Sequence, residues 1–319
     1  MAERDPRRVF TAAVDALVAR VRHDTSILAA ILCGSLAHDT VWDKSDVDLV
    51  LITIDEAKVS AAGMSLYADG VNVHASLMTR DAFRRMVQGA SQGSFMHSFL
   101  AKGRLLYTHD DTIARLCEGL HELGARDREV QLLRAATGAL PTLYKAHKWL
   151  KTRGDLDYTA LWLLYVAMSI ARIEVIESGA IPGREVVPDA QKLNPALMKT
   201  IYGDLLHEPA TRARVETALK TVDDYMASRA TRLFAPVLTY LREAGEARAC
   251  SEIEHFFSRH FDVVEVTTVC EYLADQQLIG KVSIPVKLTK KSPVSVEELA
   301  FVYLDPATDP FDDHTWEPR

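Results

Sequence analysis

The chain has 319 residues, enough for two or three domains with real cores. Apolar residues make up 48% and charged residues 25%, the balance of a soluble globular protein. The formal net charge of -7 argues against binding long nucleic acid through bulk charge and leaves only a local basic groove for that purpose.

Residues 5–23 carry Val9, Phe10, Ala13, Leu17, Val18 and Val21 at helical spacing. Residues 26–33 are a compact apolar run ending at Gly34, and residues 47–54 are a second; both read as buried strands. Asp69-Gly70 is a turn signal. Residues 71–78 then alternate, with Val71, Val73, Ala75 and Leu77 on one face and Asn72, His74, Ser76 and Met78 on the other. Thr79 and Asp81 are suited to cap a helix through Phe83 and Val87, and residues 103–108 read as a further short strand.

From about Asp111 the pattern turns to long helices. Residues 130–152 form one, with a kink expected at Pro141. Residues 158–178 form a buried helix closed by Gly179 and Pro182, and residues 213–244 are helical again. In the tail, Ser251 with Glu254 three residues on resembles a capping box for a helix through Phe261. A second helix over 267–278 and strands over 282–288 and 298–304 follow, the order of a winged-helix module. The expected domains are therefore an α/β domain with a mixed sheet (1–110), an all-α domain (111–246), a small winged-helix-like α+β module (247–305) and a loosely ordered tail (306–319).

The four cysteines, Cys33, Cys117, Cys250 and Cys270, form no C-x-x-C pair, which speaks against a zinc site and for reduced thiols. The N-terminal MAERDPRRVF lacks the apolar core of a signal peptide, and the apolar stretch 158–176 is interrupted by Arg172 and Glu174. A cytoplasmic protein without a membrane span is expected.

The stretch CGSLAHDTVWDKSDVDLVLIT, residues 33–53, carries the chemistry. A strand ends at Gly34-Ser35, and the next bears Asp46 and Asp48, two apart and so on one face. Two converging carboxylates repel unless a divalent cation lies between them. Gly34 permits close approach of the backbone to a phosphate, and Ser35 with the following N–H groups can donate to it. An EF-hand loop is excluded, because the required Gly and terminal Glu are missing.

This pattern resembles the nucleotidyltransferase fold of the DNA polymerase beta superfamily, which includes kanamycin-type aminoglycoside nucleotidyltransferases and small antitoxin nucleotidyltransferases. The match covers about residues 26–108. The whole chain also resembles a group of two-domain bacterial nucleotidyltransferase proteins, a likeness that implies no substrate. The resemblance implies that Gly34 and Ser35 hold phosphate and that Asp46 and Asp48 bind Mg²⁺ (or Mn²⁺). It implies transfer of a nucleoside monophosphate from an NTP to a hydroxyl of a small molecule or protein. Lys145, Lys148 and Lys151 share a helical face, and the resemblance implies that Lys145 and Lys148 contact the triphosphate.

The family places a third carboxylate on the next strand, and here its match is His74, with Asn72 beside it. Asp69 has the wrong parity, and Asp81 is explained as a cap. Three explanations stand: His74 is a base or metal ligand; Asp155, Asp157 or Glu174 supplies the base; or the site binds nucleotide without transfer. The last goes with a regulatory protein whose output is the winged-helix module. Residues 248–319 hold seven basic and thirteen acidic side chains, which favours a protein contact or homodimer over DNA for that module. His38, His97 and His109 share no ligand spacing, Ser91–Ser94 reads as a helix entry, and Lys102 and Arg104 are weak candidates for a cleft.

Overall fold

A computed structural model describes residues 5–37, 41–55, 63–88, 99–120, 125–183, 185–289 and 291–304. The expectations for His38, His97, Ser91–Ser94 and the tail 306–319 lie outside these residues. The chain divides into two compact units, Met1–Asp127 with Gly179–Arg184, and Arg128–Ser178 with Glu185–Arg319.

The first unit is built on a five-stranded sheet of β1 (Ile27–Cys33), β2 (Val47–Thr53), β3 (Gly63–Ala68), β4 (Val71–Thr79) and β5 (Arg104–Thr108). The strand order is β3-β4-β2-β1-β5, with β2 and β4 parallel and the other pairs antiparallel, so the sheet is mixed as expected. The period of two sends alternate side chains to two cores. Ala30, Leu32, Val47, Leu49, Val71 and Val73 pack under α1 (Pro6–Val21), which presents Phe10, Ala13, Val14 and Val18. Ala29, Ile31, Cys33, Val50 and Ile52 face Phe83 of α3 (Arg80–Gln88) and Ile113 of α4 (Asp111–Gly119). Ile113 and Leu120 belong to this second core, and the compact unit runs to Asp127.

Strand β3 was not anticipated. Its six residues pair antiparallel with β4 at the sheet edge; Met64, Leu66 and Ala68 alternate with Ser65 and Tyr67, but only Ala68 is buried and Leu66 half-buried, so the pattern is short and weak. At the other end of the sheet, Arg80 spans Asp55 (2.8 Å) and Asp110 (3.3 Å), tying the loop after β2 to the α4 cap. Thr79 caps α3 through the Ala82 N–H, whereas Asp81 bonds forward to Arg84 and Arg85.

The second unit contains α5 (Ala125–Arg153), which continues through Pro141, then α6 (Leu156–Glu177), α7 (Val186–Leu193), short helical turns over 195–207, α8 (Arg212–Leu233) and α9 (Ala235–Ala244). After β6 (Arg248–Ala249) come α10 (Cys250–Phe261), α11 (Val266–Asp275), β7 (Ile279–Val286) and β8 (Val296–Tyr303), with sheet order β6-β8-β7. The last two helices and hairpin do not have a core of their own: Phe257, Val269 and Phe301 join Leu163, Val222 and Val237 in one continuous cluster. The expected Ser251–Glu254 capping box is replaced. The helix begins at Cys250, Glu252 reaches back to the Ala249 N–H, and Glu254 accepts from the Thr267 N–H that opens α11.

Among the described residues, α6 alone is long and apolar enough to cross a membrane. Its Leu163, Val166, Ile170 and Ile173 are fully buried inside the unit, the placement of a core helix.

Candidate metal centre

The site is assembled where three strands of the first unit run side by side. β1 ends at Cys33, and the chain leaves it at Gly34 with φ +69°, entering the single turn α2 (Gly34–Ala37). Antiparallel pairing sets Asp48 opposite Cys33, and parallel pairing sets His74 opposite Asp48. Directly opposed residues project to the same face. The side chains of Asp48 and His74 therefore rise together, on the face opposite Val47 and Leu49.

Asp46 lies one residue before β2, not on it as the sequence suggested. Its position follows a turn in which the Ser45 N–H donates to the Trp42 carbonyl (2.9 Å) and the Trp42 N–H donates to the Ser45 hydroxyl (3.1 Å). The turn brings the Asp46 Oδ2 to 3.1 Å from His74 Nδ1. One ligand atom from each of Asp46, Asp48 and His74 lies within 4.8 Å of the others. The Asp46 and His74 side chains are 47% and 53% exposed, so the trio opens to solvent. Two carboxylates and an imidazole at this separation are a donor set for a divalent cation, with coordination positions to spare for outside ligands.

Gly34 has a role that its place in the motif did not reveal. A Cβ there would sit 2.1 Å from Asp48 Oδ2 and 3.0 Å from its Cγ. The glycine thus makes room for the carboxylate of the next strand, in addition to adopting a left-handed φ that other residues resist. Ser35 follows it, half-buried, in α2. Beneath the site, burial and the neighbouring Asp48 charge push the Cys33 thiol up, so Cys33 is an inert part of the floor.

Lys145 and Lys148 are exposed on α5, in the second unit. The Lys145 ammonium lies 4.4 Å from the centre of the Trp162 ring, a cation–π contact. Two of the alternative carboxylates have local partners: Asp155 caps α6 through the Tyr158 N–H, and Glu174 accepts from Tyr225 and Asn194. His109 Nε2 lies 3.1 Å from the Arg22 carbonyl, a structural contact. Lys102 lies against Gly183 and Arg104 is exposed at the start of β5. Trp42, whose spacing to Asp46 and Asp48 carries no motif of its own, is 61% exposed on the turn that sets Asp46. A tryptophan in the polar loop just before an Asp-x-Asp pair was the available signal.

The mixed sheet with its paired acids, followed by a helical unit, places the chain in a nucleotidyltransferase-like fold. The supporting relative is the crystal structure of a nucleotidyltransferase-like protein from Exiguobacterium sibiricum 255-15, with a TM-score of 0.63 at 17% identity, covering 94% of this chain and 99% of that one. At such identity the likeness establishes the fold. No family model matches the chain, and no curated protein matches its sequence.

Proposed function

We propose that the chain is a metal-dependent nucleotidyltransferase that moves a nucleoside monophosphate from an NTP to a hydroxyl acceptor, a small molecule or a protein side chain. The observation that carries this is the convergence of Asp46, just before β2, with Asp48 and His74 on adjacent strands of a nucleotidyltransferase-like fold. Asp46 and Asp48 would hold the cation, and Gly34-Ser35 would receive the phosphates. A bound cation supplies charge neutralisation at the phosphate oxygens and aligns the attack. In the reaction the acceptor oxygen bonds to the α-phosphorus, the bond to the β-phosphate oxygen breaks, pyrophosphate leaves, and the hydroxyl proton passes to solvent. Lys145 and Lys148 are proposed as phosphate-binding residues. The net charge of -7 disfavours a long nucleic acid as acceptor, and four free cysteines accord with a cytoplasmic setting.

A second reading is a nucleotide-binding regulator with a degenerate transferase site. It is favoured by His74 in place of an acid and by the helix pair and hairpin at the C-terminus, which we take as a winged-helix-like module suited to protein contact or dimer formation. NTPs labelled at the α-phosphate, incubated with the protein, Mg²⁺ or Mn²⁺ and a panel of hydroxyl acceptors, separate the two. Transfer of label with pyrophosphate release, abolished by a chelator, is the expected result. Tight NTP binding without turnover over the whole panel would favour the regulator.

A further inference from the structure

We infer that His74 is a direct ligand of the cation, and that the site is thereby built for a manganese-class ion in preference to magnesium. The inference rests on the proposed cation site at Asp46 and Asp48 and concerns what the third donor does there. His74 is not a core histidine: its side chain is 53% exposed, and its Nδ1 lies 3.1 Å from the Asp46 carboxylate. Its backbone is fixed by pairing on both sides, to Asp48 in β2 and to Ser65 in β3. The sheet itself therefore presents the imidazole beside Asp48, and the turn at 42–45 sets the Asp46 carboxylate against it.

The donor spacing suits a shared ion. Two ligands about 2.1–2.2 Å from an octahedral ion and at right angles to each other stand about 3.0 Å apart. At a tetrahedral ion with comparable bonds the separation is about 3.5 Å. His74 Nδ1 and Asp46 Oδ2 are 3.1 Å apart, closer to the octahedral edge. Two carboxylates and one imidazole would leave three octahedral positions for phosphate oxygens and water.

The chemistry of the donors sets the preference. Magnesium is a hard ion that dehydrates reluctantly and takes oxygen ligands, so an imidazole contributes little to holding it. Manganese takes carboxylate and water as magnesium does, and as a less hard transition ion that sheds water more easily it also accepts an imidazole nitrogen, which magnesium scarcely does. A third carboxylate at this position would serve magnesium well; a histidine there shifts the selection. The competing account of the same 3.1 Å contact is a hydrogen bond in which His74 Nδ1–H merely orients Asp46, leaving the cation to the carboxylates.

The two accounts differ in a spectroscopic signature that needs no turnover. The full chain is titrated with Mn²⁺ in the absence of nucleotide, bound ion is counted by electron paramagnetic resonance, and electron spin-echo modulation reads any directly bonded ¹⁴N. The wild type is expected to show that nitrogen coupling, and to release Mn²⁺ only at an Mg²⁺ excess of about 100-fold. In His74→Asp the coupling is lost and the required excess falls by about tenfold. Bound Mn²⁺ without nitrogen coupling in the wild type, or unchanged discrimination in a folded His74→Asp, overturns the inference while leaving the carboxylate site standing. Mn²⁺ binding that survives Asp48→Asn undiminished overturns the carboxylate site itself, and the inference with it.

Discussion

Gly34→Ala is expected to lose both stability and the metal site. The left-handed backbone, φ +69°, costs an alanine about 1–2 kcal/mol. The new Cβ would also lie 2.1 Å from Asp48 Oδ2, so the carboxylate must swing away. Because the Asp48 Cγ and Cβ are within 3.0 and 3.2 Å of the same point, rotation of the carboxylate alone does not relieve the clash. A displacement of about 1 Å at a reacting centre costs about 100-fold, so transfer and divalent-cation affinity should each fall by about that factor. Denaturant unfolding and Mn²⁺ titration measure the two effects separately. A variant with wild-type cation affinity would show that the Asp48 carboxylate does not have to occupy the pocket beside Gly34.

Asp46→Asn and Asp48→Asn are expected to reduce transfer by about 10³-fold each, equivalent to about 4 kcal/mol of lost transition-state stabilisation. Asparagine keeps the shape and removes the negative charge proposed to hold the cation. The fold should tolerate the change at Asp46. Its contact with His74 is half-exposed, and a surface pair of this kind contributes about 1 kcal/mol or less. Asp46→Asn should therefore unfold close to the wild type while transferring almost no label. A large loss of stability with transfer intact would make Asp46 a structural residue.

Much of this site could be read from the linear chain, and the reasons lie in particular residues. β1 and β2 are covered on both faces, so Ile27–Cys33 and Val47–Thr53 appear as dense apolar runs. β4 is covered on one face only, and its alternation gave His74 its parity beside Asp48. β3 leaves only the short alternation Met64, Leu66, Ala68, because an edge strand with one buried residue carries little pattern. The approach of His74 to Asp46 depends on the turn at 42–45, and the need for glycine at 34 depends on the register of β1 with β2. Both are relations between distant residues that no local spacing records. The same holds for the Lys145 ammonium, whose place over the Trp162 ring of the next helix no spacing on α5 records. At the C-terminus the helix and strand order was legible, but not that Phe257, Val269 and Phe301 close a core begun by α5.

The central claim is that Asp46 and Asp48 hold the cation that meets the nucleotide phosphates. The most direct measurement is diffraction from crystals grown with Mn²⁺ and an NTP whose α,β-bridging oxygen is replaced by a methylene group. The anomalous signal of manganese should fall about 2.2 Å from carboxylate oxygens of both residues, with an α-phosphate oxygen on the same ion and the phosphates over Gly34-Ser35. Manganese bound elsewhere, or an analogue seated with its phosphates away from Asp46 and Asp48, would contradict it.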